Sequence, residues 1–102
     1  MFRATSRLLD CRITFFTRTP CGLCDTAKTV VRNVERRRPL VFLEVNIMDP
    51  GQGRWKSLYE FDTPVIHIDK ADAPETTASS LKLMHRFKEE DVLSAMDAAE
   101  HS

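Results

Sequence analysis

The sequence predicts an α/β domain whose strands and helices follow the order β-α-β-α-β-β-α. Short apolar, β-branched runs alternate with segments in which apolar residues recur at helical spacing. Two cysteines, Cys21 and Cys24, stand where the first strand passes into the first helix. Pro64 opens the third strand, a position where its missing N–H costs no ladder hydrogen bond. With 102 residues, the chain forms one domain with a modest core.

The first half contains a βαβ unit. Residues 12–17 are apolar or β-branched and predict a buried strand, and a helix follows, with its apolar stripe at Ala27, Val30, Val31 and Val34. Pro39 ends that helix. Residues 40–47 are mostly apolar, which favours a second strand buried on both faces. A right-handed crossover makes the two strands parallel, in a four-stranded mixed sheet flanked by helices.

The second half adds a short helix, two strands and a last helix. The short helix presents an apolar face of Trp55, Leu58 and Tyr59 to the core, to which Phe61 is a further candidate, and ends near Glu60. The third strand covers residues 65–68, a polar loop follows, and residues 81–87 alternate as a fourth strand antiparallel to the third. Three acidic residues open the last helix, whose apolar stripe is Val92, Leu93, Met96 and Ala99.

The cysteine pair lies at the start of the first helix. The first N–H groups of a helix lack intrahelical partners and carry partial positive charge, so a thiolate on Cys21 would be stabilised and its pKa lowered. Arg18 adds a second positive charge, and Cys24 lies within disulfide reach. Half of a zinc site is an alternative, but the other candidate ligands show no zinc spacing: Cys11, His67, His85 and His101. Inert packing is a third possibility.

The composition limits the cellular compartments in which we expect this chain. Three cysteines do not make a disulfide scaffold, which favours a reducing intracellular compartment, cytoplasmic or mitochondrial. No stretch is apolar enough to span a membrane, and no signal-peptide core opens the chain. Residues 1–11 carry arginines and hydroxyl groups, as in a mitochondrial transit segment, although an N-terminal arm is the simpler interpretation. Residues 12–99 would form the domain and residues 100–102 a tail.

Charge is balanced overall but unevenly distributed. Residues 1–40 contain nine Lys/Arg and three Asp/Glu, whereas the remainder contains twelve acids and six bases. Such asymmetry can indicate a nucleic-acid partner. Arg32 and Arg36–Arg38 instead crowd the end of a helix, where cations complement the dipole, and no aromatic residues are interleaved with them. We therefore expect neither a nucleic-acid nor a membrane partner.

The element order and two motifs resemble the thioredoxin fold and, within it, a small glutaredoxin-like protein. The motifs are Arg18-Thr19-Pro20-Cys21-Gly22-Leu23-Cys24 and Asp62-Thr63-Pro64-Val65. The resemblance covers roughly residues 12–99. It implies that Cys21 is the attacking thiolate, and that Cys24 is the resolving thiol that releases the mixed disulfide.

The resemblance also implies a substrate site. Arg18 would meet the glycine carboxylate of glutathione. Pro64 would be a cis-proline packed against the dithiol, and the backbone of Thr63 would pair with an extended substrate. The substrates would be protein disulfides or glutathione mixed disulfides, with glutathione as a co-substrate, no tightly bound cofactor and no metal. The protein would act as a monomer.

Two departures from the family pattern are visible. Gly22-Leu23 replaces the usual Pro-Tyr of glutaredoxins and Gly-Pro of thioredoxins. No Gly-Gly turn follows the third strand, where Asp69 or Asp72 would have to substitute in binding glutathione.

His67, close to Pro64, is either a proton shuttle or a residue that packs or faces solvent. Two further functions stay open: a non-catalytic binding or assembly module, and metal or iron–sulfur handling through Cys21.

Overall fold

The computed structural model describes residues 11–101. It contains the following elements in chain order: β1 (Cys11–Thr17), α1 (Gly22–Arg37), β2 (Val41–Asn46), α2 (Gly53–Tyr59), β3 (Val65–Lys70), β4 (Leu81–Met84) and α3 (Glu89–Glu100). The N-terminal arm expected over residues 1–11 lies outside the described residues except for Cys11, which opens β1. No helix between residues 11 and 101 is long and apolar enough to cross a membrane.

The four strands form one mixed sheet in the order β2-β1-β3-β4. β1 pairs with β2 in parallel, with Phe15 opposite Glu44. β3 pairs antiparallel with both β1 and β4. This arrangement confirms the predicted fold class, because the crossover helix makes the first pair parallel and the short connection after β3 makes the last pair antiparallel.

Helices cover both faces of the sheet, and each face has its own core. α1 and α3 pack on one face over buried side chains that include Ile13, Phe15, Val31, Val34, Ile66, Ile68, Val92 and Met96. α2 packs on the other face over Phe16, Ile47, Trp55, Tyr59 and Val65. Successive strand residues point to opposite faces, so each strand contributes to both cores. Trp55 and Tyr59 are core, as their helical spacing predicts, but the placement of Leu58 and Phe61 on the same buried face is wrong, because both side chains are exposed.

The expectation that β2 is buried on both faces is wrong. β2 is an edge strand of this sheet, and Leu43 and Glu44 at its centre are exposed. Its apolar side chains are only partly buried: Phe42 approaches the ring of Phe15 at 6.0 Å and lies under the Arg32 guanidinium at 3.9 Å, and Val45 packs against the core on the α2 face. An apolar run alone does not distinguish a central strand from an edge strand of this kind.

β4 is shorter than predicted because the backbone turns at His85. His85 has a φ of 66°, a left-handed conformation that ends the extended run at Met84 rather than at residue 87. The His85 N–H donates to the Pro64 carbonyl at 2.8 Å. β3 is longer than predicted and continues to Lys70, because Cys11 and Arg12 pair with its last two residues.

The arginine-rich end of α1 is neutralised within the domain. Arg37 pairs with Glu89 at 3.0 Å, and Arg38 pairs with Asp97 at 2.7 Å and also with Glu100. The hydrogen bond with Asp97 contributes most to raising the pKa of Arg38. Arg37 and Arg38 therefore dock α1 against the acidic helix α3.

His67 is buried in a polar network on the α2 face of the sheet. Its Nε2 lies 2.6 Å from the Tyr59 hydroxyl, and its Nδ1 lies 2.7 Å from the Thr76 hydroxyl. Ser80 contacts Thr76 at 3.2 Å and donates to Asp69 at 2.7 Å. The network joins β3 to α2 and to the loop before β4, so His67 packs rather than faces solvent.

The pH dependence of stability tests this network. Burial, with a smaller contribution from the Lys82 ammonium, lowers the pKa of His67 to about 4, whereas the unfolded chain has a value near 6.5. The unfolded state therefore binds more protons than the folded state between these values, and stability falls as pH drops from about 6.5 to about 4. The expected loss is about 3 kcal/mol.

Urea unfolding of wild-type protein, His67→Gln and His101→Gln at several pH values between about 4 and 7 provides the measurement. The His67→Gln variant loses this part of the pH dependence. The His101→Gln variant keeps it, because that imidazole is exposed. Equal pH dependence in all three proteins would show that His67 is not held neutral.

Candidate redox site

The two cysteines of the dithiol motif are joined. Cys21 and Cys24 form a disulfide, with their Cα atoms 5.2 Å apart. That separation lies within the range of about 4.4–6.8 Å that disulfides require. Because β1 ends at Thr17 and α1 begins at Gly22, the disulfide lies at the junction between the first strand and the first helix.

Cys21 is the N-cap of α1. Its backbone is extended, with φ −158° and ψ 100°, and its Sγ accepts a hydrogen bond from the Cys24 N–H at 3.0 Å. A thiolate at this Sγ would keep that hydrogen bond and face the positive end of the helix dipole. The local geometry therefore favours the charged form of Cys21 after reduction.

The two sulfur-bearing residues differ in accessibility. Cys21 is half-buried, whereas Cys24 is 3% exposed and belongs to the core beneath α1. A disulfide in another molecule can therefore approach Cys21 but not Cys24. Such an arrangement suits an outer attacking sulfur and an inner sulfur that reacts only within the molecule.

A polar cleft of about 540 Å³ runs beside the disulfide. Lys28 pairs with Glu44 at 2.8 Å at one side of it, and the Asn46 amide donates to the Thr19 hydroxyl at 3.0 Å at another. The cleft also contains Arg18, both cysteines, Asp25 and Asp49. Asn46, Glu44 and Lys28 were not singled out from the sequence, because nothing in their spacing places them beside the cysteines.

Arg18 lines the same cleft, but its guanidinium is engaged. Its Nη1 donates to the backbone carbonyl of Glu60 at 2.7 Å and lies 4.0 Å from the Glu60 carboxylate. Arg18, which the resemblance assigns to binding a substrate carboxylate, thus links the dithiol turn to the end of α2.

The Thr63–Pro64 segment is flanked by two hydrogen bonds. Arg18 of the dithiol turn donates to the carbonyl of Glu60, three residues before Thr63, and the His85 N–H donates to the Pro64 carbonyl. The Thr63–Pro64 peptide bond is cis, and so is the Thr19–Pro20 bond next to Cys21, which the sequence did not suggest. No hydrogen bond among the described residues uses the backbone N–H or C=O of Thr63.

A second cleft, of about 300 Å³, lies beside Leu23. Leu23, the residue before Cys24, forms part of its wall together with Thr26 and Ala27 of α1. The facing wall comes from the β4–α3 connection, namely His85, Arg86, Phe87 and Lys88, with Asp91 at the start of α3. No sequence pattern predicts that this connection lies beside Leu23.

The histidines do not join the dithiol. His67 lies on the α2 face of the sheet, against Phe16 and Trp55, whereas Cys24 packs on the α1 face. His85 is exposed and its Nε2 lies 3.5 Å from an Asp62 carboxylate oxygen. Across residues 11–101, no three His, Cys, Asp or Glu side chains are grouped as a metal site.

Solved structures with the same fold are thioredoxins. A chloroplastic thioredoxin z matches with a TM-score of 0.72 at 17% identity, covering 96% of this chain and 84% of that one. Thioredoxin O2 from Arabidopsis thaliana matches with a TM-score of 0.61 at 17% identity, covering 94% and 83%. A Schistosoma mansoni thioredoxin matches with a TM-score of 0.64 at 12% identity, covering 95% and 86%. At these identities the likeness establishes the thioredoxin fold.

A family model described as Glutaredoxin-like domain (DUF836) matches residues 12–97. The matched segment runs from β1 into α3 and includes both cysteines and the Thr63–Pro64 segment. The chain therefore belongs to the glutaredoxin-like family described by that model.

Proposed function

We propose that the protein is a thiol–disulfide oxidoreductase that exchanges electrons with protein disulfides or glutathione mixed disulfides. The observation that carries this proposal is the position of Cys21. Its Sγ is the accessible sulfur, it accepts the N–H of Cys24 in the first turn of α1, and Cys24 is bonded to it. A chain that only bound a partner would not require this combination.

The reaction begins with the reduced dithiol. The Cys21 thiolate attacks one sulfur of the substrate disulfide, a new S–S bond forms, and the other substrate sulfur leaves as a thiolate that takes up a proton. Cys24 then loses its proton and attacks the Cys21 sulfur. The mixed disulfide breaks and the second substrate thiol departs. Two electrons have passed to the substrate, and Cys21 and Cys24 are left as a disulfide that glutathione or a protein dithiol must reduce.

The Thr63–Pro64 segment supports binding of an extended substrate. The unpaired N–H and C=O of Thr63 are available to a second chain in the manner of a strand edge. Such pairing would place the substrate sulfur near Cys21. A dithiol that must cycle requires a reducing setting, and we place the protein in the cytoplasm or the mitochondrion.

A side-by-side reduction assay tests the function. We expect the protein to reduce a glutathione mixed disulfide or an insulin-type protein disulfide with glutathione as electron donor. Cys21→Ser removes the attacking sulfur and abolishes turnover, by more than about a hundredfold. Cys11→Ala is the matched control, because this third cysteine is buried at the far end of β1. Full activity in Cys21→Ser would refute the proposed mechanism.

We assign Arg18 a positioning role in this reaction. Its hydrogen bond to Glu60 fixes the segment that leads into Thr63 and Pro64. The other N–H groups of the same guanidinium are available to a glutathione carboxylate, because only Nη1 is used toward Glu60. The two roles make different predictions for substrates with and without a carboxylate.

Arg18→Ala separates these roles. If Arg18 positions the substrate segment, the variant loses up to about tenfold in kcat/KM, the scale of one charged hydrogen bond, for every substrate. The measurement compares a glutathione mixed disulfide with uncharged hydroxyethyl disulfide. Arg18→Lys restores part of both activities, since an ammonium can still donate to the Glu60 carbonyl. A loss confined to the glutathione substrate would instead make Arg18 a carboxylate ligand.

A further inference from the structure

The residue after Glu60, the partner of Arg18, carries an exposed aromatic ring. Phe61 is 88% exposed, well above the exposed fraction of the other large apolar residues with an open surface, such as Leu43 at 47% and Leu58 at 45%. It precedes Pro64 by three residues. Removing an exposed phenyl ring from water by contact with a partner lowers the free energy of the complex.

The cleft on the other side of the turn combines apolar walls with unpaired cations. Leu23 and Phe87 are half-buried in its walls, and Arg86 and Lys88 are exposed at its edge. Neither cation forms an ion pair with any residue between 11 and 101. The acidic residue in this lining, Asp91, accepts a hydrogen bond from the backbone N–H of Lys88 at 2.8 Å, not from its ammonium group. The cleft therefore presents an excess of positive charge.

The segment that connects these two features offers free backbone groups. Thr63 follows Phe61 by two residues and precedes Pro64, whose carbonyl accepts the His85 N–H, and His85 itself lines the cleft. An extended chain paired with Thr63 would thus pass from the aromatic ring toward the cationic cleft. Glutathione has no apolar side chain with which to cover Phe61.

We propose that this surface selects an oxidised protein segment in which an apolar side chain and an acidic side chain flank the reactive cysteine. The apolar side chain covers Phe61, and the carboxylate meets Arg86 and Lys88. The inference rests on the proposed oxidoreductase function and names its substrate class. The sulfur chemistry is unchanged: Cys21 attacks the cysteine of the segment, and the other sulfur leaves as a thiolate.

Mixed disulfides between each probe thiol and thionitrobenzoate provide the test. When Cys21 attacks the sulfur of the probe thiol, thionitrobenzoate leaves as a coloured thiolate. The probes are short blocked peptides of equal length with a central cysteine flanked by Leu and Glu, by Leu and Lys, or by Ser and Glu. The mixed disulfides of glutathione and of mercaptoethanol complete the set. Release is measured in a single turnover of the reduced protein.

We expect the Leu/Glu peptide to react about tenfold faster than each of the other peptides and than the glutathione probe. Phe61→Ser slows the Leu/Glu peptide about tenfold and leaves the mercaptoethanol probe unchanged. The double variant Arg86→Glu/Lys88→Glu reverses the preference between Glu and Lys peptides. Leu58→Ser and Arg36→Glu/Lys70→Glu are the matched controls, because these exposed residues do not line the cleft.

Equal rates for all three peptides, or an unchanged preference in Phe61→Ser and in the charge reversal, would overturn the proposed surface. If the glutathione probe reacts faster than every peptide, glutathione rather than a protein segment is the preferred substrate and the proposed surface is rejected. In both cases reaction of the mercaptoethanol probe through Cys21 would still support the oxidoreductase function. Failure of every probe would reject both proposals together.

Discussion

The hydrogen bond from the Cys24 N–H to the Cys21 Sγ is the interaction on which the proposed chemistry depends. It places the accessible sulfur at the N-cap of α1, where free N–H groups and the helix dipole favour negative charge. Cys24 becomes the buried second sulfur for the same reason, because it belongs to the first turn of the helix. One local feature thus assigns different roles to two chemically identical side chains.

The rest of the fold holds this cap in place from both sides. β1 lies inside the sheet and ends at the dithiol turn, and β3, its antiparallel neighbour, begins at Val65 opposite Phe16, directly after the Thr63–Pro64 segment. Arg18 bonds to Glu60 before that segment, and the His85 N–H bonds to Pro64 within it. On the far face, His67 links β3 to Tyr59 of α2, so the strand that presents Pro64 is anchored well away from the chemistry.

The sequence carried enough information for the fold and for the cysteine pair, because both follow from local patterns. Alternating strand and helix periodicities determine the element order, and the strand-to-helix position of Cys21 predicts its cap. Three features depend on long-range packing and were missed or misjudged. β2 is an edge strand, which its apolar composition does not reveal. Arg18 bonds to Glu60, forty-two residues away. His85 adopts a left-handed turn that brings the β4–α3 connection to the site.

Alkylation of the reduced protein tests the central claim most directly. Iodoacetamide rates are measured against pH for Cys24→Ser, which retains Cys21, and for Cys21→Ser, which retains Cys24. The account predicts that Cys21 reacts faster at neutral pH, with a midpoint below the value of about 8.5 for a free cysteine, and that Cys24 reacts slowly. A faster reaction at Cys24, or a Cys21 profile that matches free cysteine, would contradict it.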